Sequence, residues 1–168
     1  MSRPLELIRG LHNLRPEHRG CVATIGNYDG VHRGHQHMLE ATRRKADELG
    51  VPVTVVTFEP TPREFFEGAA APARLMRLRE KLEALALYGV DRVVVLRFDA
   101  RMRNFSAAEF EQRLLVAGLG VRHMVVGHDF HYACKREGNI HSLRAAGERH
   151  GFSVEEVGEF LVAGERVS

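Results

Sequence analysis

The segment Gly26-Asn-Tyr-Asp-Gly-Val-His-Arg-Gly-His35 gathers the residue types that do chemistry. His32 and His35 stand three apart where a long helix is expected to begin, so their imidazoles can share one face beside the helix's unsatisfied N–H groups. A helix N-terminus attracts anions through those donors and its dipole. Two imidazoles added there suit a phosphate chain better than a carbonyl or a sugar. Gly26 and Gly30 permit backbone shapes that other residues resist, and Gly34 removes a side chain where a ligand could approach. The segment lacks Gly-Lys-Ser/Thr, and Asn-Tyr-Asp after Gly26 departs from the G-x-G-x-x-G dinucleotide pattern, so neither common phosphate loop is present. The alternative reading is a glycine turn carrying solvated histidines.

Two further stretches stand out. In Phe58 to Phe66, Pro60 and Pro62 stiffen the backbone and remove donors beside Phe58, Phe65 and Phe66, a wall suited to a flat heterocycle. The adjacent pair Phe65 and Phe66 is expected to turn one ring inward. The third stretch, Gly127 to Asn139, is polar and follows an apolar run.

The elements that must position these loops alternate. Cys21–Ile25 reads as a buried strand. Met38, Leu39, Thr42, Ala46 and Leu49 recur at helical steps up to Gly50. Strands are predicted over Val51–Phe58, near-continuously apolar as buried parallel strands are, and over Val90–Phe98, Val121–Val126 and Phe152–Val157. Helices are predicted on the Leu75, Leu78, Leu82, Leu85 stripe, from Ser106 to Val116 with Glu109 closing a capping box, and from His141 to His150. Residues 59–73, with three prolines, read as irregular, and Leu5 to Leu14 as a strand or packed lead-in. The alternation predicts an α/β fold: a Rossmann-like parallel sheet with helices on both faces. In such sheets ligands bind beyond the carboxyl ends of the strands, at the switch in strand order, which is where loops 26–35, 59–66 and 127–138 fall.

Composition narrows the class. A chain of 168 residues suits one domain. Lys plus Arg is 24 against 22 for Asp plus Glu, and this net charge of +2 argues against nucleic-acid binding. Arg43-Arg44-Lys45 reads as a charge run on the outer face of a helix. No apolar run approaches the roughly 18–20 residues of a membrane span, and no signal-like leader is evident, so a cytoplasmic protein is expected. Cys21 and Cys134 are too few for a disulfide framework. Of the 10 histidines, His12, His18, His37 and His150 read as solvated, and His123, His128, His131 and His141 lack the compact spacing of a metal site.

The string GNYDGVHRGHQ resembles the nucleotidylyltransferase superfamily, with its H-x-G-H motif, and within it bacterial FAD synthetase in its FMN adenylyltransferase domain. TFEPTPREFF (Thr57 to Phe66) resembles that family's F-x-P-x-P loop, and VVGHDFHYACKREGNIHSL (Val125 to Leu143) its G-x-D-F loop, with Ala133 in place of a usual glycine. The resemblance implies transfer of AMP from ATP to FMN, giving FAD and pyrophosphate with Mg²⁺. It implies catalytic roles for His32 and His35, and nucleotide binding by Gly26, Asn27, Tyr28, Asp29 and Gly34. It implies flavin binding by Phe58, Pro60, Pro62, Phe65, Asp129 and Phe130, with Asp29 a candidate metal ligand. It further implies a riboflavin kinase domain following residues 1–168 and a later I-S-S-T-x-x-R segment, of which Ser168 would match the first serine. On this reading residues 1–168 are an adenylyltransferase domain cut before its last helical segment. Two alternatives stay open: a nucleotidylyltransferase acting on another small phosphate ester, or a nucleotide- or flavin-binding domain made inactive by incompleteness.

Overall fold

Runs of Val, Ile and Thr form the inner strands, whose alternating side chains are almost all buried on both faces of the sheet, while the two edge strands are largely exposed or half-buried. In the computed structural model, residues 4–28, 33–70, 77–158, 160–162 and 165–167 are described. Six strands form one sheet: β1 (Glu6–Arg9), β2 (Cys21–Ile25), β3 (Val53–Phe58), β4 (Arg92–Leu96), β5 (Val121–Gly127) and β6 (Ser153–Val157). Their order is β1-β4-β3-β2-β5-β6, and every neighbouring pair is parallel. β7 (Phe160–Val162) and β8 (Glu165–Val167) make a separate antiparallel hairpin that the sequence pattern does not announce.

The helices are α1 (Arg33–Leu49), α2 (Pro62–Glu67), α3 (Leu78–Leu87), α4 (Ala100–Arg103), α5 (Ala107–Glu109) and α6 (Ile140–His150). α5 runs on into a π-helical stretch, Phe110–Gly118. One face of the sheet (Val22, Val53, Val55, Val93, Val95) is covered by α1 and α3 through Leu39, Ala46 and Leu85. The other (Ala23, Ile25, Val56, Val94, Met124) is covered by Leu114 and Leu115 of the π-helical stretch and by Leu143 and Ala146 of α6. The expected parallel α/β sheet with helices on both faces is therefore what forms.

Four details differ from the expectation. Residues 62–67 are helical rather than irregular, because Thr61 caps α2: its hydroxyl accepts from Glu64 N–H at 3.2 Å while Glu64 accepts from Thr61 N–H at 2.8 Å. Pro62 then sits at the first helical position, where its missing N–H costs nothing. The short helix α4 is additional to the predicted set; Asp99 caps it by accepting from Met102 N–H at 3.0 Å. His18 is buried, not solvated: its Nδ1 accepts from Arg15 N–H at 2.9 Å and its Nε2 lies 3.4 Å from Glu6 Oε2. Arg43 is not simply outward-facing: its Nη1 donates to Gly89 O and Asp91 Oδ2, both at 2.8 Å, tying α1 to the turn before β4.

Candidate functional site

From β2 the chain proceeds through β3 and β4 on one side, while β5 lies on the other, so the strand order reverses between β2 and β5. The carboxyl ends of these two strands, Ile25 and Gly127, flank the switch point where open parallel sheets take ligands. The loops after β2, β3 and β5 all leave from this edge.

The turn after β2 is built around Tyr28. It is one of the largest fully buried side chains, its hydroxyl lies 3.1 Å from Thr24 Oγ1, and it adopts φ 52, a left-handed conformation uncommon outside glycine. Burial pushes the Tyr28 phenol well above its ordinary range. A Cβ on Gly26 would come within 2.9 Å of the Tyr28 ring, so this turn requires glycine there. Gly26 N–H donates to Val56 O at 3.0 Å, and Asn27 O accepts from Thr57 Oγ1 at 3.3 Å, fastening the turn to β3. His35, in the first turn of α1, packs its ring 4.7 Å from that of Tyr28. Gly34 lies in the same helical turn. Asp29, Gly30 and His32 lie outside the described residues, so the expected pairing of His32 with His35 and the metal role of Asp29 rest on sequence alone.

Beside this turn opens a cavity of about 530 Å³. Ile25, Phe58, Pro62, Phe66, Phe98, Phe110, Phe130 and Tyr132 give it an aromatic lining, and Arg103, His131, Lys135 and Arg136 add basic groups. Of the residues expected to hold a flavin, Phe58, Pro62 and Phe130 line it; Pro60, Phe65 and Asp129 do not. The wall is Phe66 instead of Phe65: once Thr61 starts a helix, Phe65 turns back onto Phe98 (centroids 5.5 Å apart) and Phe66 faces outward under the Arg103 guanidinium at 5.3 Å. Asp129 is exposed; its carbonyl, not its carboxylate, engages His131 Nδ1 at 2.8 Å. Sequence reasoning misses Phe98, Met102, Arg103, Asn104 and Phe110 as lining residues. They follow β4 and open the π-helical stretch, and the Asp99 cap is the available signal that the chain turns into the cavity there.

The loop after β5 is closed by a two-way backbone bridge between Tyr132 and Gly138 (3.1 and 2.9 Å). Within it Ala133, Lys135 and Arg136 all have positive φ. His123 and His128 serve structure: His123 binds Ser153 Oγ (2.6 Å) and Glu155 (3.2 Å), and His128 lies 3.3 Å from Glu156. Among the described residues no group of three or more His, Cys, Asp or Glu could hold a metal, and no helix is long and apolar enough to cross a membrane.

A wholly parallel sheet with an aromatic cavity and a helix N-terminus at its switch point defines a Rossmann-like α/β protein with a ligand site at the carboxyl edge. A crystal structure described as a macrolide-efflux protein from Streptococcus pneumoniae superposes with a TM-score of 0.84 at 20% identity, covering 99% of this chain and 53% of that one, a likeness of fold. The family model for FAD synthetase matches residues 14–168, and the chain belongs to the FAD synthetase family. It is 57% identical over 164 residues to a bifunctional riboflavin kinase/FMN adenylyltransferase of Pseudomonas fluorescens, covering 98% of this chain and 52% of that protein. The corresponding proteins of Haemophilus influenzae and Escherichia coli K12 are 47% and 46% identical, each with 98% of this chain and 53% of the relative covered. The chain thus spans about half the length of the curated relatives it matches.

Proposed function

We propose that the protein is an ATP:FMN adenylyltransferase that makes FAD. The observation that carries this is the single junction at Ile25, which lines the aromatic cavity and also ends the strand leading to the His35-bearing helix start. A flat isoalloxazine fits the cavity, and basic side chains at its border suit the phosphate that FMN carries toward the nucleotide. An FMN phosphate oxygen, already anionic at neutral pH, attacks the α-phosphorus of ATP; one P–O bond forms, the bond to the β-phosphate bridge breaks, and pyrophosphate leaves. No protein base and no covalent intermediate are required, so the chain's contribution is alignment and charge stabilisation. His35, with His32 and the N–H groups opening α1, would hold the triphosphate and the charge developing on pyrophosphate.

Mg²⁺ would neutralise phosphate charge in this reaction. It commonly takes only one or two carboxylates together with substrate phosphates, a demand that Asp29 in the loop after β2 could meet without a preformed cluster. The reading also brings a cytoplasmic setting and, as in the relatives' names, a riboflavin kinase in the same protein, with residues 1–168 as the adenylyltransferase domain. Phosphorylation of riboflavin would supply its FMN.

The test is to incubate the protein with ATP, Mg²⁺ and FMN, and in parallel with other small phosphate esters. FAD and pyrophosphate are expected from FMN alone. Turnover of another ester but not FMN overturns the acceptor, and flavin binding without turnover points to a binding domain. H35A should cut turnover far more than FMN binding; weakened binding with normal turnover per complex refutes the role given to His35.

A further inference from the structure

Beneath the cavity lies a polar group that the adenylyl transfer does not use. Glu111, on the π-helical stretch, is 3% exposed, between Phe110 and a helix face of leucines. Its Oε2 accepts the Tyr132 O–H at 2.6 Å, and its Oε1 accepts from Arg149 Nη2 at 3.3 Å. Ser142 Oγ stands 3.0 Å from the same phenol oxygen. Tyr132 is the centre of an aromatic stack: Phe110 lies 5.1 Å and Phe130 5.5 Å from it, centroid to centroid, and all three rings line the cavity. Its other side is closed by Gly138, where a Cβ would approach the ring to 2.5 Å. Burial, and then the Glu111 bond, hold the phenol protonated well above its ordinary range, so the O–H is a donor at any working pH.

We propose that Glu111 is a positioning residue for the flavin site: by gripping the Tyr132 hydroxyl from the helix side it fixes the Phe110–Tyr132–Phe130 platform against which the substrate's planar ring lies. This rests on the FMN reading above for the identity of the ring, but not for the existence of the grip. Without Glu111 the phenol O–H exchanges a charged acceptor for the neutral Ser142 Oγ, a weaker bond that no longer ties the ring to the π-helical stretch. Removing Glu111 alone should therefore shift Tyr132, whereas removing both polar ends should let the platform settle back. Arg149, with its side chain 58% exposed, can turn to water in either case.

The experiment compares wild type, E111L, E111Q, Y132F and E111L/Y132F, reading FMN binding by quenching of flavin fluorescence and, at saturating substrate, FAD formation. E111L should weaken FMN binding at least about fivefold, with kcat and the KM for ATP within about twofold of wild type. E111Q, which keeps an acceptor for the phenol, should recover most of that loss, and E111L/Y132F should return to within about twofold of Y132F. Unchanged FMN binding in E111L, an equal fall in kcat, or a double variant as weak as E111L overturns the proposal. If E111L does not fold, the contrast of Y132F, E111Q and the double variant decides between the same two outcomes. If wild type takes up no FMN, the functional reading fails, and the grip is then judged by amide exchange over residues 128–138. That exchange should be faster in E111L or, if E111L does not fold, in Y132F, and slower again in the double variant; unchanged exchange refutes it.

Discussion

The rings of Tyr28 and His35 meet at 4.7 Å with a 43° tilt, so the residue that shapes the turn after β2 also supports the imidazole at the head of α1. Tyr28 is fully buried and bonded to Thr24, which makes it a rigid support. Y28A should lose about 3 kcal/mol of stability through the cavity it leaves, and should abolish most adenylyl transfer. Y28F keeps the ring against His35 but leaves the Thr24 hydroxyl short of a partner, which costs about 1 kcal/mol. Urea unfolding together with FAD formation separates the two: Y28F losing activity as severely as Y28A would show that the hydroxyl, not the ring, is what His35 needs.

Ala133 has φ 72 and ψ −178, a region essentially reserved for glycine that stores about 1–3 kcal/mol in any other residue. It stands where the family resemblance leads one to expect glycine, and it lines the cavity. A133G should raise stability by about 1 kcal/mol, the relief of strain exceeding the extra freedom given to the unfolded chain. An unchanged or lowered urea midpoint would mean that the surrounding bridge between Tyr132 and Gly138 carries no strain at this residue.

How far the sequence discloses this molecule depends on the length scale of each signal. β2 to β5 are legible because buried parallel strands must be largely apolar on both faces, a demand met within five to seven consecutive residues, whereas the edge strand β6 carries Glu155 and Glu156. α2 is equally local, written in Thr61, Pro62 and Glu64, but three prolines nearby point to an irregular segment. The π-helical register of Phe110–Gly118 has no compositional mark, since the same residues would make an ordinary helix. Neither does the cavity, which joins rings such as Phe58, Phe98, Phe110 and Phe130 from the end of one strand and from beyond two others. The choice between Phe65 and Phe66 is open in the sequence for the same reason: it depends on where α2 begins, one residue's rotation exchanging the two.

The two cysteines should differ sharply. Burial pushes the Cys21 thiol up to about 11 from 9.0, so almost no thiolate exists at pH 8, and its sulfur lies within the sheet core. Cys134 is partly exposed at the cavity. A thiol reagent at pH 8 should label one cysteine in the folded protein and two after denaturation. Labelling of both at similar rates would contradict the burial of Cys21.

The same groups set an alkaline limit. Cys21, Tyr28 and Tyr132 are all raised in the folded state, chiefly by burial. In the unfolded chain they ionise near their ordinary values, whereas the folded chain keeps their protons. The unfolded state is therefore favoured progressively as pH rises: the stability these groups confer is intact below pH 9 and falls from there through about 11 for Cys21, with the tyrosines adding from about 10 upward. Urea midpoints measured between pH 7 and 11 should be flat at first and then drop, and C21A should soften the first part of the fall. A midpoint that stays level to pH 11 would show that these side chains are solvated.

Phe66 makes the separation of stability from function testable at one position. Its ring is 59% exposed, so F66A should change stability by no more than about 0.5 kcal/mol. Yet it lines the cavity, with Arg103 held over its face at 5.3 Å, and its removal takes away one wall and the support of a cation beside the proposed phosphate path. F66A should therefore raise the KM for FMN several-fold at nearly unchanged kcat. Phe65, half-buried against Phe98 and outside the lining, should behave in the opposite way: F65A costs about 1–2 kcal/mol of stability and leaves the KM for FMN closer to wild type. If F65A instead raises that KM more than F66A does, the ring facing the flavin is Phe65, and α2 must rotate about its axis when substrate binds.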